Sequence, residues 1–143
     1  MAQYTLRVYP KGMSREASCV LACPSDTTLE ELARHILYAF DFDDDHLYEF
    51  CMTCRLYDSG NYRKRPYGYD YDEDEQSCDV RLDELGLYRG LNFWFHYDFG
   101  DDWVFVVHVN KVDDGGDGRV HLVSRKGHVE QYPSWDEDEE WDE

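Results

Sequence analysis

His46, Glu49, Asp98, Asp101 and Asp102 are the residue types of a carboxylate-rich site for a divalent cation. Gathered around one point, they could hold a hard ion and activate water for phosphodiester or amide hydrolysis. His46, Asp98, Asp101 and Asp102 are the candidate ligands proper, but the pattern asserts neither a metal nor any other cofactor. A structural reading competes with it: Gly100-Asp101-Asp102 is turn chemistry, in which Asp side chains accept bonds from nearby backbone N–H groups, and His46 closes a helix. Tyr97 and Trp103, with Tyr48, Trp94 and Phe99, supply a third reading. They could form an aromatic platform edged by acids, suited to a protein surface.

Other chemistries find less footing. The spacing of Cys51-Met-Thr-Cys54 is that of a zinc or redox site, and Cys19 and Cys23 could complete four ligands. Against this, Tyr48, Phe50, Met52, Cys54 and Leu56 alternate as one face of a strand from Leu47 to Tyr57, which sends Cys51 to the other face with Glu49 and Thr53. No Gly or Pro offers a turn there. With Cys78 the cysteines number five, odd for a disulfide framework, so free thiols are expected. No Ser-His-Asp or Cys-His set and no Gly-rich phosphate loop is present.

Charge narrows the partners. The 143 residues carry 32 Asp and Glu against 14 Lys and Arg, a net charge of −18. Direct nucleic-acid binding draws on cations that neutralise phosphates and is not expected. A basic or amphiphilic protein partner suits the balance better, with imitation of a nucleic-acid backbone as a further possibility. Half of the 32 acids lie in three places: Asp41 to Asp45, Asp70 to Glu75, and the end from Asp136 to Glu143. An apolar fraction of 42% with 16% aromatic residues is too high for a wholly disordered acidic chain. No export signal or membrane span is evident, so a cytoplasmic protein without membrane association is expected.

The elements that must position these residues follow from periodicity. Tyr4 to Tyr9 alternates as a strand, Pro10-Lys11-Gly12 breaks it, and Ala17 to Cys23 forms the second half of an opening hairpin. Leu29, Leu32, Ala33, Ile36, Leu37 and Phe40 recur at three and four residues as the stripe of a helix from about Thr28 to Phe40. Thr27 with Glu30, or Thr28 with Glu31, makes its capping box. Acids at the helix exit oppose its dipole, so something other than helix stability keeps them there. Residues 58–79 read as a Tyr/Asp-rich surface loop, and Val80 to Leu87 as a short helical turn capped near Asp83. Leu91 to Phe99 and Trp103 to Val109 alternate as an aromatic hairpin. A three-residue loop would pair Phe99 with Trp103, Tyr97 with Phe105, Phe95 with Val107 and Phe93 with Val109. Arg119 to Ser124, with Val120 and Leu122 inward, makes the last strand.

Three blocks now stand in order: Thr27-Thr28-Leu29-Glu30-Glu31-Leu32, then Phe40-Asp41-Phe42-Asp43 with His46-Leu47-Tyr48-Glu49-Phe50, then Tyr97-Asp98-Phe99-Gly100-Asp101-Asp102-Trp103. This pattern resembles the plasmid pRiA4b ORF-3-like domain family over roughly residues 3–133. The resemblance implies a compact α+β domain of the kind found in bacteria, archaea and mobile elements, and it implies no activity. Where many members end in a Pro-Pro-Glu-Asp-Cys-Gly-Gly segment, this chain has Gln131-Tyr132-Pro133 and the acidic end instead.

The expected architecture is one α+β domain over residues 1–133, followed by a disordered acidic tail, 134–143. Its order is ββαβ, a helical turn, the aromatic hairpin and a last strand, in a largely antiparallel sheet with the helix on one face. Contacts of the helix stripe with Leu6, Val8, Phe50, Met52, Phe95 and Val107 should form the core. The preferred function is a non-enzymatic binding or accessory module for a protein partner, and the alternatives are a metal-dependent hydrolase or nuclease and a nucleic-acid mimic.

Overall fold

Alternating burial along Gln3–Pro10, with Tyr4, Leu6, Val8 and Pro10 inward, makes β1, which pairs antiparallel with β2, Ala17–Pro24. The computed structural model describes residues 2–64 and 76–132. Among them are one α-helix, α1 (Leu29–Ala39), and the further strands β3 (Tyr48–Cys51), β4 (Tyr62–Arg63), β5 (Gln76–Ser77), β6 (Asn92–Tyr97), β7 (Trp103–Asp113) and β8 (His121–Gly127). They form one sheet in the order β5-β4-β3-β6-β7-β1-β2-β8, antiparallel throughout except between β4 and β5. The domain is α+β, as the periodicity implied.

The Thr28 hydroxyl accepts from the N–H of Glu31, and the Glu31 carboxylate accepts from the N–H of Thr28, so of the two possible capping boxes the second forms. Leu29, Leu32, Ala33, Ile36 and Leu37 pack on Leu6, Val8, Phe50, Phe95 and Val107, with Met52 at the margin. A 3-10 turn, Leu82–Glu84, adds Leu82 to the same core. At the helix exit, the Arg125 guanidinium donates to the Ala39 carbonyl and lies 3.4 Å from Asp41. A cation from β8 thus offsets the unfavourable dipole term of the exit acids.

Four local expectations need correction. The strand from Leu47 stops at Cys51 rather than Tyr57, because the chain turns without Gly or Pro through left-handed residues at Cys54 (φ 58°) and Tyr57 (φ 61°). The aromatic hairpin has the expected faces, but its register is shifted by two: Tyr97 pairs Trp103, Phe95 pairs Phe105 and Phe93 pairs Val107. Asp98 leaves the ladder at φ 68° and its Oδ1 accepts the N–H groups of Gly100 and Asp101, which lengthens the loop to 98–102. Residues 58–79 are not loop throughout, since β4 and β5 extend the sheet edge. The last strand starts at His121; Val120 packs against the core as expected, but Leu122, opposite the buried Leu21, lies on the edge strand and keeps 41% of its surface exposed. Residues 65–75 and the acidic tail lie outside the described residues.

Gly127 closes β8 opposite Ala17 at φ 73°, and a Cβ there would stand 1.8 Å from the Glu16 carbonyl oxygen. Gly127→Ala should therefore lower stability by at least ~1 kcal/mol, read as a lower urea midpoint, since both backbone strain and a backbone clash oppose it. An unchanged midpoint would mean that β8 does not dock as described.

Candidate functional site

Strand alternation decides where the candidate residues go. In β3 and β6, Tyr48, Phe50, Phe95 and Tyr97 face the helix, so Glu49 and His96, directly paired in the register, face the opposite side. There the Glu49 carboxylate lies 2.8 Å from His96 Nδ1 and accepts from the Tyr57 N–H (2.7 Å) and Asn61 Nδ2 (3.0 Å), with Arg63 at 3.3 Å. His96 Nε2 meets Asp102 Oδ1 at 2.6 Å, and the Tyr57 hydroxyl donates to the same oxygen at 2.7 Å. Glu49 and His96 are fully buried, whereas about half of the Asp102 side chain is exposed (48%).

An imidazole with a carboxylate at each nitrogen is satisfied best as the doubly donating cation. Burial alone would lower the pKa of His96, but the bonds to Glu49 and Asp102 outweigh it and hold the value above the ordinary one. Burial alone would raise Glu49, yet the bonds from His96, Asn61 and Tyr57 bring it below its usual range. Asp102 is held low by Tyr57 first and His96 second, and Tyr57 itself is pushed up to about 12, chiefly by its bond to Asp102.

His46 belongs to a different cluster. Its Nε2 lies 2.7 Å from the Tyr132 hydroxyl and 3.3 Å from both Asp45 Oδ1 and Asp98 Oδ2. The buried Tyr97 organises this side: its hydroxyl accepts from the N–H groups of Asp45 (2.8 Å) and His46 (3.2 Å) and donates to the Asp43 carbonyl. Gln131 Oε1 accepts the Asp43 N–H at 2.7 Å, and Trp103 packs edge-on against Phe42 while donating to the Gln131 carbonyl. Asp101 is exposed at the loop tip.

The five polar candidates therefore do not converge. Glu49 and Asp102 meet through His96, His46 meets Asp98, and the packed rings of Tyr48, Phe95 and Tyr97 lie between Glu49 and the His46 side. Among the described residues no three His, Cys, Asp or Glu side chains are placed to hold a metal ion. Cys51 ends β3 and a turn, where the strand was expected to continue, brings the chain to Cys54, but Cys51 is buried and takes a bond from Asn61. Burial raises every thiol, Cys19, Cys23 and Cys51 to about 12, so none is poised as a nucleophile. His96, Tyr57, Asn61, Arg63 and Tyr132 were not among the candidates. Only His96 carried a signal, as the polar residue alternating with Phe95 and Tyr97.

The exposed remainder of the site is an acidic end. Tyr132, half-exposed, is raised by partial desolvation first and then by the carboxylates of Asp45, Asp98, Asp43 and Asp101 around it. Among the described residues none of these four carboxylates has a Lys or Arg partner, while Asp44 and Asp41 face Lys64 and Arg125.

Comparison with known proteins agrees with the motifs. The model of the plasmid pRiA4b ORF-3-like protein family matches residues 2–132, and the chain belongs to that family. The chain is similar to the crystal structure of a protein of unknown function, MM3350, from Methanosarcina mazei Go1, at 20% identity and a TM-score of 0.67, over 88% of this chain and 68% of that one. At that identity the likeness concerns the fold. No curated protein matches the chain.

Two consequences of the buried cluster can be measured. Glu49→Ala strands an imidazolium, a guanidinium and an amide, and should cost about 3–5 kcal/mol, whereas Asp102→Ala, removing a half-exposed partner, should cost about 1 kcal/mol or less. The contribution of His96 is complete below its ordinary value of 6.5 and is lost as pH rises through its higher folded value. That of Glu49 is present above its ordinary 4.5 and is lost as pH falls through its lower folded value. The stability difference between the wild type and His96→Gln, from urea midpoints, should therefore shrink as pH rises above 6.5. A difference constant across neutral pH would show His96 to be neutral.

Proposed function

We propose that this domain is a non-enzymatic binding module that takes a basic protein segment at its acidic end. The observation that carries this reading is the exposed set Asp43, Asp45 and Asp101, backed by the buried Asp98, around the half-exposed Tyr132, without a Lys or Arg partner among the described residues. Carboxylates dispersed around an aromatic ring suit Arg and Lys side chains, whose charge meets the acids while their aliphatic stems cover the ring. Such a field also speeds encounter with a cationic partner and makes binding salt-dependent.

The hydrolase alternative would need His46 and Glu49 on one side of the sheet, and they lie on two. Imitation of a nucleic-acid backbone rested on the Tyr-rich loop and the tail, which fall mostly outside the described residues, and no observation favours it.

The test is fluorescence polarisation of a labelled oligo-arginine peptide across a salt series. Wild type should bind and weaken steeply with salt. Asp43→Asn with Asp45→Asn and Asp101→Asn, all exposed, should lose about tenfold or more in affinity with the thermal midpoint little changed. Equal affinity in the triple variant, or no binding at low salt, would overturn the reading.

A further inference from the structure

The face of the sheet opposite the helix carries a charge unlike the rest of the molecule. Register places its side chains in rows across the strands: Tyr9, Val106 and Trp94 in one, and Val20, Arg7, His108 and Asn92 in the next. These two rows contain no Asp or Glu. Val106 is buried and Asn92 exposed, and the others are half-buried. At the end of the first row the exposed Lys11 holds its ammonium 5.4 Å above the Trp94 ring, and the Arg7 guanidinium stands 4.6 Å from the Tyr9 ring. Of the carboxylates nearby, Glu49 is buried and satisfied by His96, Asn61 and Arg63, while Asp102 is half-exposed but bonded to His96 and Tyr57, and with Asp101 it borders the groove that Lys11 lines. α1 and the 3-10 turn pack on the other face, and the 52–61 segment reaches this face over Glu49 and His96 and, through the Cys54 thiol, at the Asn92 carbonyl.

We propose that this open face is a second interaction surface, separate from the acidic end, and that it takes an acidic, amphipathic protein segment. Charge complementarity selects the sign of the partner, because the cations Arg7 and Lys11 have no carboxylate partner among the described residues and stand over rings instead. The apolar component follows from the half-buried Val20 beside Arg7 and Val104 near Lys11, which gain from covering by aliphatic side chains. A single-stranded nucleic acid is the less suitable occupant. Its bases need free aromatic faces, whereas both rings here already carry a cation, and a long polyanion meets more of the chain's negative long-range field. A short segment with a few acids meets less.

The probe is a labelled synthetic peptide alternating glutamate with leucine, titrated against the full chain by fluorescence polarisation. Its controls are a peptide alternating lysine with leucine and an oligo-dT of similar length. Wild type should bind the glutamate peptide more weakly as salt is added, and Lys11→Glu should reduce affinity by about tenfold. Lys11 is exposed and, among the described residues, its side chain makes no hydrogen bond, so the fold should tolerate the change. Arg7→Gln, which also removes a bond to the Ser14 carbonyl, should act in the same direction. The double variant Asp43→Asn with Asp45→Asn, which leaves Asp101 beside Lys11 in place, should bind the glutamate peptide at least as well as wild type, which separates this surface from the other. No binding of the glutamate peptide, or equal binding by Lys11→Glu, would overturn the proposal. Oligo-dT bound in preference and lost in Lys11→Glu would replace it with a nucleic-acid surface.

Discussion

One short helix has to cover a wide sheet, and much of the molecule follows from that mismatch. Eleven helical residues are about 16 Å long, while eight strands side by side span roughly 34 Å. Aliphatic side chains alone cannot bridge the difference, and the covered face is instead filled by rings: Phe50, Phe93, Phe95, Tyr97 and Phe105 are fully buried. Phe40 and Phe42 extend the helix layer beyond its last turn onto Phe105, Tyr97 and Trp103. The exit segment therefore has to fold back over the sheet. Its inward residues are Phe40 and Phe42, and the residues between and after them, Asp41 and Asp43 to Asp45, face outward. The acidic end is thus held in place by packing, and its acids oppose the helix dipole without controlling where the segment lies.

Tyr97 fixes that segment more finely. A tyrosine in the middle of an aromatic core would leave a costly orphan hydroxyl, but here the oxygen reaches the backbone of Asp43, Asp45 and His46. The bond energy of one side chain is spread over a segment with no helix or strand of its own. On the other face the same strands use a different solution. Burying Glu49 or His96 alone would be strongly unfavourable, so the two are buried together and their remaining groups are met by Asn61, Tyr57 and Asp102. That pair also joins β3 to the hairpin tip, because Asp102 belongs to the loop between β6 and β7.

Residue pattern made the sheet faces and the helix legible, because alternation and the 3.6 period are local properties. Register was not legible to the same degree. Parity requires Tyr97 to oppose an odd-numbered residue, which Trp103 and Phe105 both are, and the choice lay with Asp98 capping its own loop. The turn after Cys51 gave no warning because Cys54 and Tyr57 are unusual residues for left-handed backbone. Glu49 is the instructive case. Its alternation with Tyr48 and Phe50 already set it on the face away from the helix, which argues against grouping it with His46. Its contact with His96 was invisible, since it depends on pairing between strands more than forty positions apart.

Net charge is the property most easily over-read here. At physiological ionic strength fields decay over about 8 Å, while Arg7 and Tyr9 lie on the face of the sheet opposite the one that the helix exit packs on. Two surfaces so placed respond mainly to their own charges. The figure of −18 is an average over segments that packing has put in different places, and half of the acids belong to three short runs. It describes the long-range field that an approaching molecule first meets. What the molecule meets at contact is set by strand alternation, which puts Arg7 on one side of β1 and Leu6 and Val8 on the other. A strongly acidic chain can therefore present a cationic face without contradiction, and its partners have to be inferred face by face.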